Sequence, residues 1–197
     1  RYRLEAVREL KELAFYLMSN PSRSISFNKL KAQLQLGSVN TVKNFIEYLE
    51  NSWLLLTTNV YDPSVRRQQI APKKVYAIDT GLTQAVGYAA SPNTGHLLEN
   101  LVFLALRRLE QSVYYWAAPS GQEVDFYVPE KKLLIQVSAS IDKPTTRERE
   151  LRSLDEGMRA LNLQAGLLLT NVNAAPISVS AGTIHVQSIA DWLLSPT

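Results

Sequence analysis

The 197-residue chain has no cysteine, which excludes disulfides and thiolate metal sites. Its two histidines, His96 and His185, lie far apart with no partner spacing, so each reads as a structural or exposed side chain rather than a metal ligand. No Gly-x-x-x-x-Gly-Lys-Ser/Thr run occurs, so nothing in the chain itself would cradle a nucleotide. No apolar run approaches the roughly 20 residues that cross a bilayer, which removes the membrane as a partner and, with the missing cysteine, fits a cytoplasmic protein. Ser120-Gly121 has no nucleophile-elbow context and reads as a turn. The chain opens on Arg1-Tyr2-Arg3 with no methionine and no signal-like stretch, and is expected to be a piece of a longer protein.

What is present is an ordinary globular composition, with room for one large domain or two small ones at about 100 to 150 residues each. The net charge of +3 is too small to argue for nucleic acid, but it is unevenly spread. Residues 1–80 hold 12 Lys/Arg against 7 Asp/Glu, and residues 81–197 hold 9 against 11. The basic half is the candidate for phosphate contact.

Along that half, Leu4, Val7, Leu10, Leu13, Ala14 and Leu17 are spaced for one face of a helix over Tyr2 to Met18, ended by Asn20-Pro21. A short helix is expected from Phe27 to Leu34. Ser38 is placed to cap a third helix that turns Val42, Phe45, Ile46 and Leu49 inward and ends near Asn51. Strand-like runs from Trp53 to Tyr61 and Lys74 to Ile78 flank a loop holding Arg66 and Arg67. This order predicts a winged helix-turn-helix with a basic ribbon tip, its third helix offering Asn40, Thr41, Lys43 and Asn44 to double-stranded DNA. A protein-docking or spacer role fits the same pattern. The stretch from Gly87 to Gly95 is taken as the break, giving domains at 1–82 and 83–197.

The second half predicts a helix from Leu97 to Leu109, strands at Val113 to Ala117 and Gly166 to Thr170, a charged helix from Thr146 to Leu161, a strand near Thr183 to Val186 and a last helix to Leu194. That alternation argues for a three-layer α/β unit, and α+β overall. Its most informative stretch is a hairpin, Glu123-Val124-Asp125-Phe126 joined through Pro129-Glu130-Lys131-Lys132 to Ile135-Gln136-Val137-Ser138. The period of two puts Glu123 and Asp125 on one face, and Gln136 and Ser138 likewise. A nuclease of the PD-(D/E)XK type has an acid and a lysine at the last two positions. Here they are an amide and a hydroxyl.

Phosphodiester hydrolysis needs clustered carboxylates to hold Mg²⁺ and a cation to stabilise developing charge. Glu99 and Asp125, with Glu123 beside them, are the acids that would form a weak Mg²⁺ site together with the Gln136 amide oxygen. Loss of an electrostatic partner to the transition state costs roughly a hundredfold to a thousandfold in rate. Lys131, Lys132 or Lys143 would have to substitute. Taken singly, Glu99 also reads as a solvent-facing or capping residue and Asp125 as the partner of an arginine.

Lys74-Val75-Tyr76-Ala77-Ile78-Asp79-Thr80-Gly81-Leu82, Gly95-His96-Leu97-Leu98-Glu99-Asn100, Tyr115-Trp116 and Glu123-Val124-Asp125-Phe126, in that order, resemble the C-terminal region of prokaryotic AAA+-type ATPases, the archaeal-type ATPases. The resemblance covers about Ser24 to Thr170. It implies an upstream P-loop ATPase domain, which alone would bind ATP, followed by a winged helix and a restriction-endonuclease-like domain of uncharacterised function. It places Glu99, Asp125, Gln136 and Ser138 where that fold's acids and Glu-x-Lys pair would stand. The expected function is a non-catalytic or weakly catalytic targeting module that binds DNA or a partner protein. A Mg²⁺-dependent endonuclease with a rearranged site and an interaction or oligomerisation scaffold are the alternatives.

Overall fold

The computed structural model describes residues 4–86, 94–109 and 112–194. The architecture mixes helices and sheets, and the described residues cluster into two compact units. The first takes the residues up to Asn59 together with Gln69–Asn100, and the second Val60–Gln68 with those from Leu101 on.

The first unit begins with helix α1 (Leu4–Met18), strand β1 (Arg23–Ile25) and helices α2 (Phe27–Gln33) and α3 (Val39–Asn51). Ser38 caps α3 as its sequence position predicts, its Oγ accepting the Thr41 N–H at 3.0 Å. Val42, Phe45, Ile46 and Leu49 all point inward, because the i, i+3, i+4, i+7 spacing lines one face. They meet Leu13, Leu17, Leu30, Leu55 and Val75 in one core, where each fully buried side chain contributes about 1.5–3 kcal/mol. Strands β2 (Leu55–Thr58) and β3 (Lys73–Ala77) complete an antiparallel sheet in the order β1-β3-β2.

Two stretches depart from the sequence expectation, and a third short element, the helix after Asp79, has no counterpart in it. Arg66 and Arg67 are not in a loop but on a one-turn-and-a-half helix, α4 (Val65–Ile70). It is started by Asp62, whose Oδ1 takes the Ser64 N–H at 2.8 Å, and by the Ser64 carbonyl, which takes the Gln68 N–H at 3.1 Å. Asp79-Thr80-Gly81-Leu82 opens helix α5 (Thr80–Val86), with Asp79 Oδ1 accepting the Leu82 N–H at 2.7 Å. The run from Trp53 to Tyr61 is not one strand. It breaks after Thr58, and Tyr61 lies with the second unit, donating its N–H to the Tyr115 carbonyl at 2.7 Å. The supposed interdomain stretch lies outside the described residues from 87 to 93; Thr94 and Gly95 already belong to helix α6 (Thr94–Arg108).

The second unit is built on a six-stranded sheet of β4 (Tyr114–Ala117), β5 (Glu123–Val128), β6 (Leu133–Val137), β7 (Ala165–Thr170), β8 (Ala174–Val179) and β9 (Gly182–Ser188), ordered β4-β5-β6-β7-β9-β8. The pairs β6–β7 and β7–β9 are parallel and the others antiparallel. Two parallel neighbours need a crossover, and α7 (Pro144–Ala160) supplies it between β6 and β7. It packs tightly: a Cβ at Gly157 would come within 2.8 Å of Leu134 and 3.2 Å of Trp116. Helix α8 (Ile189–Leu194) closes the described chain. Among the described residues no helix is long and apolar enough to cross a membrane.

Candidate functional site

The hairpin forms where its alternation places it. Phe126 faces Ile135 and Tyr127 faces Leu134, so one further step along this register sets Asp125 beside Gln136. Both side chains are buried, and they are hydrogen-bonded into the sheet. Asp125 Oδ2 accepts the Val137 N–H at 3.0 Å, while Gln136 Oε1 accepts the Asp125 N–H at 3.2 Å. The other end of the Gln136 amide donates to Glu150 Oε2 on α7 at 2.8 Å, and Glu150 is in turn paired with Arg149. The Arg149 guanidinium is held above its ordinary pKa, chiefly by its bond to Glu150 and also by the field of Asp125.

An amide suits position 136 for a physical reason. A carboxylate there would face the buried Glu150 carboxylate, and two like charges in a desolvated site repel. The glutamine instead gives one carboxylate a donor and offers an acceptor to a strand N–H. Ser138 is likewise engaged, its hydroxyl donating to the Ser140 carbonyl at 2.9 Å. Lys131 and Lys132 sit in the 3-10 turn Pro129–Lys131 and just after it, at the opposite end of the hairpin. Lys132 precedes Gln136 by four residues, roughly 13 Å along a strand, which puts it beyond the reach of its side chain. Lys143 is the exposed N-cap residue of α7, about two helical turns from Glu150.

Glu99 is placed in the first unit, where it is buried and its Oε1 accepts from both Lys74 Nζ and Tyr76 Oη, each at 3.0 Å. His96 Nδ1 lies 3.9 Å from the other carboxylate oxygen. The next residue, Asn100, fastens α6 to β3: its Oδ1 accepts the Ala77 N–H at 2.8 Å and its Nδ2 donates to the Ala77 carbonyl at 2.9 Å. The stretches around Lys74–Ala77 and His96–Asn100, distant in sequence, are thus complementary parts of one buried polar cluster. Among the described residues, no three His, Asp or Glu side chains gather closely enough to hold a metal ion.

Of the residues proposed to meet DNA, Asn40, Lys43 and Asn44 are exposed on the first half of α3. The Thr41 hydroxyl lies 3.0 Å from Ser38 Oγ, within the cap, and Lys43 Nζ stands 5.8 Å from the centroid of the Phe27 ring. Arg66 and Arg67 are exposed but belong to the second unit, and Arg67 Nε pairs with Asp62 at 3.3 Å.

The motifs now have a geometry with which relatives can be compared. Residues 94–189 match a domain of unknown function, DUF4143. Residues 2–93 match another domain of unknown function, DUF8612. The DUF4143 match contains Glu99, Asn100, Asp125, Gln136, Ser138, Arg149 and Glu150, whereas Lys74 and Tyr76 fall in the DUF8612 match. The Lys74–Glu99 pair therefore joins residues of the two matches inside one structural unit. An uncharacterised protein of Methanocaldococcus jannaschii is 30% identical over 171 residues, which are 83% of this chain and 38% of that protein. An uncharacterised protein of Haemophilus influenzae is 24% identical over 191 residues, 94% of this chain and 46% of that protein. The chain thus spans less than half the length of either relative. No solved structure matches it.

No local pattern foretells the Glu150–Gln136 link, because it joins a helix to a strand through tertiary packing. One signal was nonetheless present. Glu150 occupies the same α7 face as Ser153, Leu154, Gly157 and Met158, a charge among core positions.

Proposed function

We propose that the chain is the C-terminal targeting module of a larger P-loop ATPase, a winged helix-turn-helix joined to a PD-(D/E)XK-like domain, and that it directs the ATPase to DNA or a partner protein without cutting DNA itself. The observation that carries this reading is the wiring of Gln136. Its amide is used at both ends, by the Asp125 N–H and by Glu150, at the position where a nuclease would present a carboxylate to a cation. One Asp125 oxygen is bonded to the adjoining strand, and the Ser138 hydroxyl to a loop carbonyl. Groups committed in this way hold a strand pair and a helix together. The greater length of both relatives is consistent with a further domain, and the order α1-β1-α2-α3-β2 in the first unit, with β3 between β1 and β2 in one antiparallel sheet, is consistent with a winged helix.

The test is cleavage of supercoiled plasmid in Mg²⁺ or Mn²⁺ by the native chain and by Asp125→Ala. The reading predicts no metal-dependent nicking by either. Nicking by the native chain that disappears in Asp125→Ala would establish the endonuclease alternative instead.

A further inference from the structure

Between Glu12 and Glu47 the chain has no acidic residue, while Arg23, Lys29, Lys31 and Lys43 all fall inside that stretch. From α2 to the middle of α3 its exposed positions are lysines, side-chain amides, Ser38 and the small Ala32 and Gly37. Two of the lysines converge across the helix pair. Lys43 on α3 brings its Nζ to 5.8 Å from the centroid of the Phe27 ring on α2, and Lys31 stands one helical turn beyond Phe27 on the same helix. Asn40, Lys43 and Asn44 are exposed and share one outer stripe of α3 through their i, i+3, i+4 spacing. Farther along α3 the charge changes sign. Glu47 and Glu50 occupy its second half, and its last turn has no basic residue.

A face of this kind selects among partners. Ammonium groups with no carboxylate beside them suit a phosphate backbone, and asparagine amides pair with base edges in a major groove about 12 Å wide, which admits a helix. The 13 residues of α3 span about 20 Å, and recognition helices present their N-terminal residues to the bases, which is the half of α3 that carries no acid. A protein partner would instead be anchored on exposed aromatic or large apolar side chains. Among the described residues none of the exposed large hydrophobics falls between Phe15 and Tyr48. The same absence disfavours single-stranded nucleic acid, whose unstacked bases need an aromatic platform. Phe27, the ring nearest Lys43, is partly buried against the core of the unit.

We propose that the target of the chain is double-stranded DNA, held by the α2–α3 face with Lys31 and Lys43 on the phosphates and Asn40 and Asn44 toward the base edges. This rests on the targeting-module reading and chooses DNA over a protein as the target. The probe is a fluorescein-labelled DNA duplex, followed by anisotropy in EDTA at about 50 and 200 mM salt, with a single strand and an oligo-glutamate peptide as comparisons. The native chain should bind the duplex saturably at the lower salt, more tightly than either comparison, and lose affinity steeply at the higher. Lys31→Ala and Lys43→Ala should each lower the salt slope by about one, and Lys43→Glu should weaken binding about tenfold with an unchanged melting temperature. Lys29 is exposed but two residues from Lys31, hence on the other side of α2, so Lys29→Glu should weaken binding less than about twofold. No saturable duplex binding, single-strand or glutamate binding as tight as duplex binding, or equal losses from Lys29→Glu and Lys43→Glu would each overturn the assignment. Asp125-dependent nicking in Mg²⁺ would overturn the targeting reading while leaving the duplex-binding face in place, so the two failures are distinguishable.

Discussion

A buried amide that uses both its acceptor and its donor behaves as a structural strut, and Gln136 does so between the Asp125 N–H and Glu150. The first unit contains a second buried polar device of this kind, with Lys74 and Tyr76 converging on one oxygen of Glu99. Removing one member of a buried charge pair leaves the other desolvated, at a cost of about 3–5 kcal/mol. Lys74→Met is therefore expected to lower the free energy of unfolding by that order in denaturant titrations, whereas a purely surface lysine would change it by less than about 0.5 kcal/mol. At this scale the sequence was half legible. Period-two alternation by itself places Asp125 and Gln136 on a strand pair. It could not show that Glu99 is held by Lys74 and Tyr76, because both bonds span more than twenty residues and no local pattern records them.

Among the elements, those with strong periodicity or a cap were predictable. Ser38 announced α3, and Val42, Phe45, Ile46 and Leu49 identified its inner face. The elements that escaped are short or poorly patterned: β1 has three residues and α4 six. Strand β8 contains Ala174-Ala175-Pro176 at the sheet edge, where small residues and proline hide the alternation, and its register shifts between Ala174 and Ile177. The turn from β8 into β9 has an unusually strict requirement. Gly182 adopts φ of 154°, and a Cβ built there would lie 2.1 Å from the Gln164 carbonyl oxygen, the same oxygen that accepts the Thr183 N–H at 3.0 Å. Gly182→Ala must push β7 and β9 apart or break that bond. The expected loss is about 2–4 kcal/mol by thermal or chemical unfolding, and a change within experimental scatter would show that the turn relaxes freely.

For the whole chain, the mixed α and β architecture could be read from the sequence, and two family matches meet at residues 93 and 94. The compact units do not follow that seam. Val60–Gln68 cluster with the second unit, and residues through Asn100 with the first, because strand pairing and the Ala77–Asn100 bonds outweigh sequence adjacency. The account rests on the end of the β5–β6 hairpin being a structural joint to α7 rather than a reactive centre. Denaturant unfolding of Gln136→Leu against the native chain measures this most directly. A joint predicts a loss of about 1–3 kcal/mol, from a strand N–H without an acceptor and a Glu150 carboxylate without one of its donors. Unchanged or increased stability would contradict it, as expected of a polar site that the fold maintains for function at some cost in stability.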